Sequence, residues 1–362
     1  MKKILLVCDH YPMSPRVLKV RNSLLVSSPN LRVDVMCWNR SGQRVVEEFA
    51  YSIDLPIGHR NRFKSILGLV LFVRALRSFV KKNGYDVLHA IDLSMLFSVC
   101  FFPKKIRIIY EVYDFKTSKY SILSRFIWFL ETRILLKRVY GIIYSSVFYP
   151  KKYEEISINK NRQIILPNAP SKITQKIQKK SSPYKDVQEA HYTIGFIGNV
   201  RHERILKNLV EVVLNKENAS LLIAGDGPAL ERLRLMCKNF ECGKKIKFTG
   251  RFEASELASL YGACECVWAA YPPDNENVYY AVRNKYYECI AFKKPIIVSK
   301  RTLLADKVVA EGLGLTVNPY DLSSISDCVD AVMRGNLEHA VRSLDIPEQY
   351  WEDFQNSLLR LY

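Results

Sequence analysis

The stretch Val282-Arg283-Asn284-Lys285-Tyr286-Tyr287-Glu288-Cys289-Ile290-Ala291-Phe292-Lys293-Lys294-Pro295-Ile296-Ile297-Val298-Ser299 decides the fold class. A polar Asn-Lys pair precedes a short helix, one acid sits inside that helix, and Lys294-Pro295 breaks it before an apolar strand. The helix start should face the carboxyl edge of a sheet. There a Lys beside free backbone N–H groups suits a phosphate, and a carboxylate one turn on suits a sugar diol. Taken alone, the pattern also describes a solvated helix acid with a surface Lys partner.

Outward from that stretch the same alternation repeats. Strands read at Tyr192–Ile197, Ser220–Ala224, Ile246–Thr249, Cys266–Ala270, Pro295–Val298 and Gly314–Val317, with helices at Leu206–Leu214, Ala229–Asn239, Ala254–Cys264, Lys285–Ala291 and Leu303–Glu311. The first half reads likewise, with strands at Ile4–Cys8, Arg32–Trp38, Val87–Ala90, Arg107–Glu111 and Gly141–Ser145. Its helices fall at Arg16–Val26, Phe63–Lys82, Leu93–Phe102 and Tyr120–Val139. Alternation of this kind predicts parallel sheets covered on both faces, so the fold class is α/β with two Rossmann-like domains in tandem. A Lys/Gln/Ser-rich tract, 171–190, is the expected linker between a domain at 1–170 and one at 191–345.

A chain of 362 residues with 48% hydrophobic content buries a sizeable core. Met1-Lys2-Lys3 followed by Ile4–Cys8 is too short for a signal peptide and reads as a first buried strand. Nine cysteines without CxxC spacing read as reduced thiols, hence a cytoplasmic setting. No GxGxxG follows the first strand and no GxxxxGK[ST] is present, which disfavours a nicotinamide enzyme or P-loop NTPase. Neither HExxH nor a His/Cys cluster appears among the six histidines, so no metal or cofactor is expected.

Charge is uneven. Residues 1–175 hold 29 Lys and Arg against 12 Asp and Glu, a net +17, whereas 176–362 hold 25 against 24, a net +1. A field of that sign attracts anionic lipid, nucleic acid or a phosphorylated substrate. Phe63–Val80 and Tyr120–Tyr144 place Leu, Ile, Phe and Trp at helical spacing with Arg or Lys every few residues. Both are interrupted by charge long before the roughly 20 apolar residues a bilayer crossing needs. They read as core-facing helices with wet basic faces or as membrane-surface helices. The charge asymmetry favours attachment to an anionic membrane surface. A nucleic-acid partner is not expected, since no recognition module accompanies the charge.

Candidate site residues lie where strands end. Gly198 closes a strand in a glycine turn, and Arg201, Arg204 and Lys207 behind it offer cations for a diphosphate or for solvent. Gly225-Asp226-Gly227-Pro228 lets backbone approach a ligand or simply ends a strand. In the first half His89, Asp92, Glu111 and Asp114 fall at strand ends. There His89 reads equally as a core histidine and Asp114 as a helix cap. Arg16 stands as a phosphate contact or a packed helix-start cation.

The series Gly198…Lys207-Asn208, Ala224-Gly225-Asp226-Gly227-Pro228, Phe248-Thr249-Gly250-Arg251, Leu257…Leu260-Tyr261 and Asn284-Lys285…Glu288…Lys294-Pro295-Ile296-Ile297 resembles the carboxyl-terminal domain of GT-B glycosyltransferases, specifically glycosyltransferase family 4. Pro15-Arg16-Val17, Tyr85–Asp92 and Tyr110–Asp114 resemble that family's amino-terminal loops. Trp351 with Leu358–Tyr362 resembles its closing helix, which places 346–362 back on the first domain.

The resemblance implies two Rossmann-like domains facing a central cleft and a hexosyltransferase using a UDP- or GDP-linked sugar, retaining and metal-independent. It places the base near Gly225, Asp226, Gly227 and Phe248–Arg251, the ribose on Glu288, and the diphosphate on Arg201 and Lys207, with Arg204 competing. Asn284, Lys285 and Gly198 complete the donor side. Glu111, Asp114, His89 and Asp92 become candidates on the acceptor side. The acceptor would be a lipid-linked or membrane-proximal glycan in surface polysaccharide synthesis, and the location cytoplasmic, on the inner face of the cell membrane.

One position departs from the family pattern. Its signature has two acids eight apart, and Tyr280 stands eight before Glu288, with Asp274 and Glu276 out of register. Backbone amides around Asn275–Val278, or Glu276 itself, are the alternatives for that contact. A GT-B-like scaffold without activity and a sugar-nucleotide epimerase are the competing readings.

Overall fold

A computed structural model describes residues 1–28, 30–55, 62–115, 122–156, 158–172, 192–239, 245–335 and 337–362. All but 171 and 172 of the expected linker lies outside them. The chain divides into two units, Met1–Asn168 with Asp353–Tyr362, and Ala169–Glu352.

The first unit is built on seven parallel strands: β1 (Lys2–Cys8), β2 (Leu31–Asn39), β3 (Ala50–Asp54), β4 (Val87–Ile91), β5 (Arg107–Val112), β6 (Gly141–Tyr144) and β7 (Gln163–Ile165). Their order is β3-β2-β1-β4-β5-β6-β7, so the chain runs outward from β1 in one direction and resumes on its other side at β4. Ile4, Leu5, Leu6 and Val7 are fully buried, as a central parallel strand covered on both faces demands. The helix Pro15–Ser27 starts with proline in its first turn, where no N–H is needed, and buries Val17, Val20 and Leu24 at helical spacing. The helix Arg62–Asn83 buries Phe72, Leu76 and Val80, a single face four residues apart.

Three expectations need correction in this unit. The strands β3 and β7 were not foreseen, being five and three residues long at or near an edge. The helix expected over Tyr120–Val139 is described as three pieces: an α-helix Ile122–Leu130, a π turn Glu131–Leu135 and a 3-10 turn Leu136–Arg138. At the π turn Glu131 goes into the core, accepting from the Tyr110 hydroxyl at 3.0 Å and the Tyr153 hydroxyl at 2.6 Å. In place of one closing helix, Trp351–Phe354 forms a 3-10 turn and Gln355–Leu359 a short helix. Within the first unit Gln355 Nε2 donates to Ser23 Oγ at 3.3 Å.

The second unit carries six parallel strands: β8 (Tyr192–Ile197), β9 (Ala219–Ala224), β10 (Ile246–Gly250), β11 (Cys266–Ala269), β12 (Ile296–Ser299) and β13 (Gly314–Val317). Their order is β10-β9-β8-β11-β12-β13. On one face Leu206, Leu209, Val210 and Val213 of the helix Glu203–Leu214 meet Ile325, Val329 and Val332 of the helix Leu322–Arg334 over buried Ile194, Phe196, Leu221 and Ile223. Each such fully buried aliphatic is worth about 1.5–3 kcal/mol. The helix Asn284–Ala291 ends in a Schellman turn: Lys293 N–H bonds Ile290 O at 3.2 Å, and Lys294 N–H bonds Cys289 O at 2.9 Å. Lys293 holds the left-handed position at φ +52°, ahead of the Lys294-Pro295 break read from sequence.

Candidate active site

In each sheet the strand order reverses beside the first strand of its unit, and in open parallel sheets ligands bind at the carboxyl ends of the two strands flanking that reversal. In the second unit those strands are β8 and β11. Gly198 follows β8 at φ +142°, and a Cβ there would lie 3.4 Å from Lys285 Cε and 3.5 Å from Lys285 Nζ. The Lys285 ammonium therefore rests against bare backbone. Gly225, at φ +133°, crosses the same turn so closely that a Cβ would stand 1.9 Å from the Gly198 carbonyl oxygen. Gly198 N–H bonds Ala224 O at 2.7 Å, Val200 N–H bonds Asp226 O at 2.9 Å, and Gly225 N–H bonds Gly250 O at 2.7 Å, which ties the ends of β8, β9 and β10 together.

Lys285 and Glu288 are one turn apart on their helix, 3.3 Å from Nζ to Oε2, with only 12% and 8% of their side chains exposed. The buried Tyr261 hydroxyl donates to the same oxygen at 2.5 Å. Burial alone would lower the Lys285 pKa, but the Glu288 carboxylate and Tyr271 outweigh it and hold the ammonium above its ordinary value. Burial, then Glu288, pushes the Tyr261 phenol well up, so it stays a donor. Asn284 opens the helix and Arg283 occupies its N-cap, so the Asn-Lys pair lies inside the first turn and not ahead of it, a correction of one residue at the boundary.

A second set of groups was not visible as a site in the sequence. The Arg283 guanidinium lies 4.7 Å from the Tyr271 ring centroid, and His202 meets the same ring edge-on at 5.7 Å. Burial first, then Arg201 and Arg283, depress the His202 pKa to about 4, so the imidazole is neutral at pH 7 in a positive field. Ser299 Oγ holds the Tyr271 backbone, accepting from its N–H at 2.8 Å and donating to its carbonyl at 2.5 Å. Tyr271 ends the apolar run Cys266–Ala270, and an aromatic at a strand's carboxyl end was the signal available.

The three cations singled out behind Gly198 do not converge. Lys207 pairs with Glu203 at 2.8 Å on its own helix, Glu203 also takes Arg232 at 2.5 Å, and Arg204 stacks over Tyr320 at 5.1 Å. Arg201 is exposed beside His202. Asp226 and Arg251 are exposed at the ends of β9 and β10, with Asp226 Oδ1 accepting from Gly227 N–H at 2.7 Å. Asn275 caps a helical turn over Glu276–Tyr280, and Tyr280 stacks edge-on with Tyr279 at 4.9 Å. Glu276 is in that turn's first residue, and Asp274 raises the Tyr320 pKa behind burial.

Beside the reversal in the first unit, between β1 and β4, lies a buried polar cluster. Arg16 Nε pairs with Glu111 Oε1, Arg16 Nη2 donates to Leu166 O at 2.7 Å, His89 Nε2 lies 3.0 Å from Glu111 Oε2, and His89 Nδ1 is 2.5 Å from the Tyr362 hydroxyl. His89 and Glu111 are wholly buried and Arg16 is 3% exposed. Burial would raise the Glu111 pKa, but Arg16 and His89 hold it at about 2. His89 and Glu111 thus lie wholly inside the unit, against Arg16 and Tyr362, and their 3.0 Å approach leaves His89 Nε2 and Glu111 Oε2 without a hydrogen bond. Asp92 stands just beyond β4 at φ +69°, 7% exposed, its Oδ1 accepting from Asp114 N–H at 3.1 Å, while Asp114 is exposed.

Two parallel, doubly wound Rossmann-like sheets, the second with a glycine-lined crevice carrying a buried Lys–Glu pair, define the fold as GT-B. Residues 177–343 match the family described as Glycosyl transferases group 1. The chain is 27% identical over 184 residues to the uncharacterized glycosyltransferase MJ1607 of Methanocaldococcus jannaschii, an alignment covering 49% of this chain and 46% of the relative. It is 25% identical over 130 residues, 34% of this chain and 28% of the relative, to the alpha-monoglucosyldiacylglycerol synthase of Streptococcus pneumoniae. The chain thus spans less than half the length of either. Among solved structures, sucrose-phosphate synthase from Thermosynechococcus elongatus superposes with a TM-score of 0.73 at 16% identity, covering 100% of this chain and 98% of that one.

Proposed function

We propose that the chain transfers a hexosyl group from a nucleotide-linked sugar to a lipid-linked or membrane-proximal glycan, with retention of configuration and without a metal ion. The single observation that carries the reading is the Lys285–Glu288 pair set against Gly198 at the strand reversal of the second unit. Lys285 is assigned to the leaving diphosphate, whose growing charge a buried ammonium offsets as the glycosidic bond breaks. Glu288 is assigned to the ribose hydroxyls, since Tyr261 and Lys285 both contact Oε2 and Oε1 takes part in neither contact. The exposed Arg201 is assigned to the outer phosphate oxygens, and the Asn275–Val278 turn to the donor sugar in place of an acid at Tyr280. Support for the acceptor is the net +17 of residues 1–175 and the partial likeness to a relative whose name describes a glucosyl-diacylglycerol product.

The test is a panel of UDP- and GDP-sugars incubated with the protein and membrane lipids, scored for nucleoside diphosphate release and sugar incorporation. One donor is expected to support transfer. Transfer unaffected by Glu288→Gln and Lys285→Met would contradict the site, and no binding of any nucleotide sugar would contradict the reaction.

A further inference from the structure

The two apolar-and-basic helices of the first unit read alike in sequence, but the structure separates them. The helix Arg62–Asn83 turns Phe72, Leu76 and Val80 into the core and leaves Leu67 and Val70 exposed. The helix Ile122–Leu130 buries no residue at all. Its Ile122 is 87% exposed, and Leu123, Phe126 and Phe129 are each more than half exposed. At positions 122, 126 and 129, one turn apart, they form a stripe that continues to Ile134. Below it Glu131, Thr132, Leu135 and Leu136 are buried, so the segment is anchored at its far end while the stripe faces outward.

Cations accompany the stripe. Arg125, Arg133 and Lys137 are exposed along the same segment. A cavity of about 560 Å³ opens at its side, lined by Arg133, Lys137, Lys152 and Arg162 against Glu155. Lys152 is held over the Trp128 ring at 4.6 Å and Arg162 over Tyr140 at 4.1 Å, which fixes two of the charges in place. Gly141, the first residue of β6, also lines it, so the cavity lies at the amino edge of the sheet, opposite the carboxyl edge that carries Asp92 and Asp114. Among the described residues no helix is long and apolar enough to cross a membrane.

We propose that Ile122–Arg138 docks the first unit on an anionic phospholipid surface, the 122-126-129 stripe entering the interface and the Arg133/Lys137/Lys152/Arg162 cavity receiving a lipid phosphate. A stripe of this polarity suits an interfacial helix, and charge complementarity selects the anionic bilayer over an apolar protein groove. The inference rests on the membrane-proximal acceptor proposed above and names the surface that would meet the membrane.

The full chain is sedimented with vesicles of phosphatidylcholine alone and of phosphatidylcholine with phosphatidylglycerol. The protein is expected to partition at least about tenfold more strongly onto the anionic vesicles, and Arg133→Ala with Lys137→Ala to reduce that preference about tenfold. Phe126→Ser with Phe129→Ser, both at exposed sites, is expected to reduce it by a similar factor. Arg74→Ala with Arg77→Ala, on the exposed face of the other helix, removes the same charge and is expected to change it less than about twofold. No preference for anionic vesicles, an unaffected Phe126/Phe129 variant, or equal loss in the Arg74/Arg77 control would each overturn the proposal. Nucleoside diphosphate affinity, measured without vesicles, separates the two readings. Nucleotide binding without vesicle binding overturns this inference alone, and vesicle binding without nucleotide binding overturns the transferase reading alone.

Discussion

The two sheets share one winding and differ in what stands at the reversal. Beside β1 and β4 of the first unit, Arg16, His89 and Glu111 form a buried cluster that Tyr362 joins from the chain's end, with Arg16 paired to Glu111 and the Tyr362 hydroxyl against His89. Between β8 and β11 of the second, glycines stand where side chains would fill the space, and a Lys–Glu pair borders them with a little surface left open. A common topology thus sets the position, and the side chains standing there differ between the units. A buried ion cluster stabilises little beyond an apolar plug, yet breaking it leaves a charge without a counterpart.

The largest expected effect breaks the buried cluster. Glu111→Ala strands the buried Arg16 guanidinium and is expected to destabilise the first unit by about 3–5 kcal/mol, read from urea unfolding. The open crevice should respond in binding as well. Lys285→Met is expected to weaken nucleoside diphosphate affinity by roughly 30- to 100-fold, measured by calorimetry, and to cost about 1–3 kcal/mol of stability because it leaves the buried Glu288 carboxylate with Tyr261 but without its cation. Gly198→Ala puts a methyl against Lys285 at a φ that L residues avoid, and about a tenfold loss of the same affinity is expected.

Acid separates the units as well. The Glu111 carboxyl lies at about 2 in the fold against an unfolded value of about 4.3, so the unfolded chain binds the extra proton between them. Its contribution is complete above the unfolded value and is lost as pH falls toward 2. Glu111→Gln should flatten the stability profile of the first unit in that window. In the second unit His202 lies at about 4, below an unfolded value of about 6.5, so its contribution is full above 6.5 and declines as pH falls toward 4. His202→Gln should flatten that higher window. The smallest effect is at Lys293, where glycine fits the left-handed Schellman position and Lys293→Gly is expected to add about 0.5–1 kcal/mol by thermal melting.

Much of the architecture was legible because parallel strands buried on both faces must be written as apolar runs, as Ile4–Val7 and Ile296–Val298 are. The short strands β3 and β7 were not, since they lie at or near a sheet edge where burial imposes less pattern. At the open crevice, Gly198, Lys285 and Glu288 were readable from turn chemistry and helix spacing. Tyr271, His202 and Arg283 were not, because what joins them is a ring contact across distant segments. His89 and Glu111 present the opposite case. Their placement at strand ends suggested reach toward a ligand, and only the packing of Arg16 and Tyr362 shows that they are enclosed. For Lys207, a helix neighbour four residues back at Glu203 offered a partner that spacing alone already allowed.

The most direct test of this contrast is amide hydrogen exchange of the full chain with and without a saturating nucleoside diphosphate. Protection is predicted at 197–202, 224–228 and 283–289, abolished by Lys285→Met, with 14–18, 89–92 and 110–114 unchanged. Protection centred on the Arg16–Glu111 cluster, or unaltered by Lys285→Met, would contradict the account.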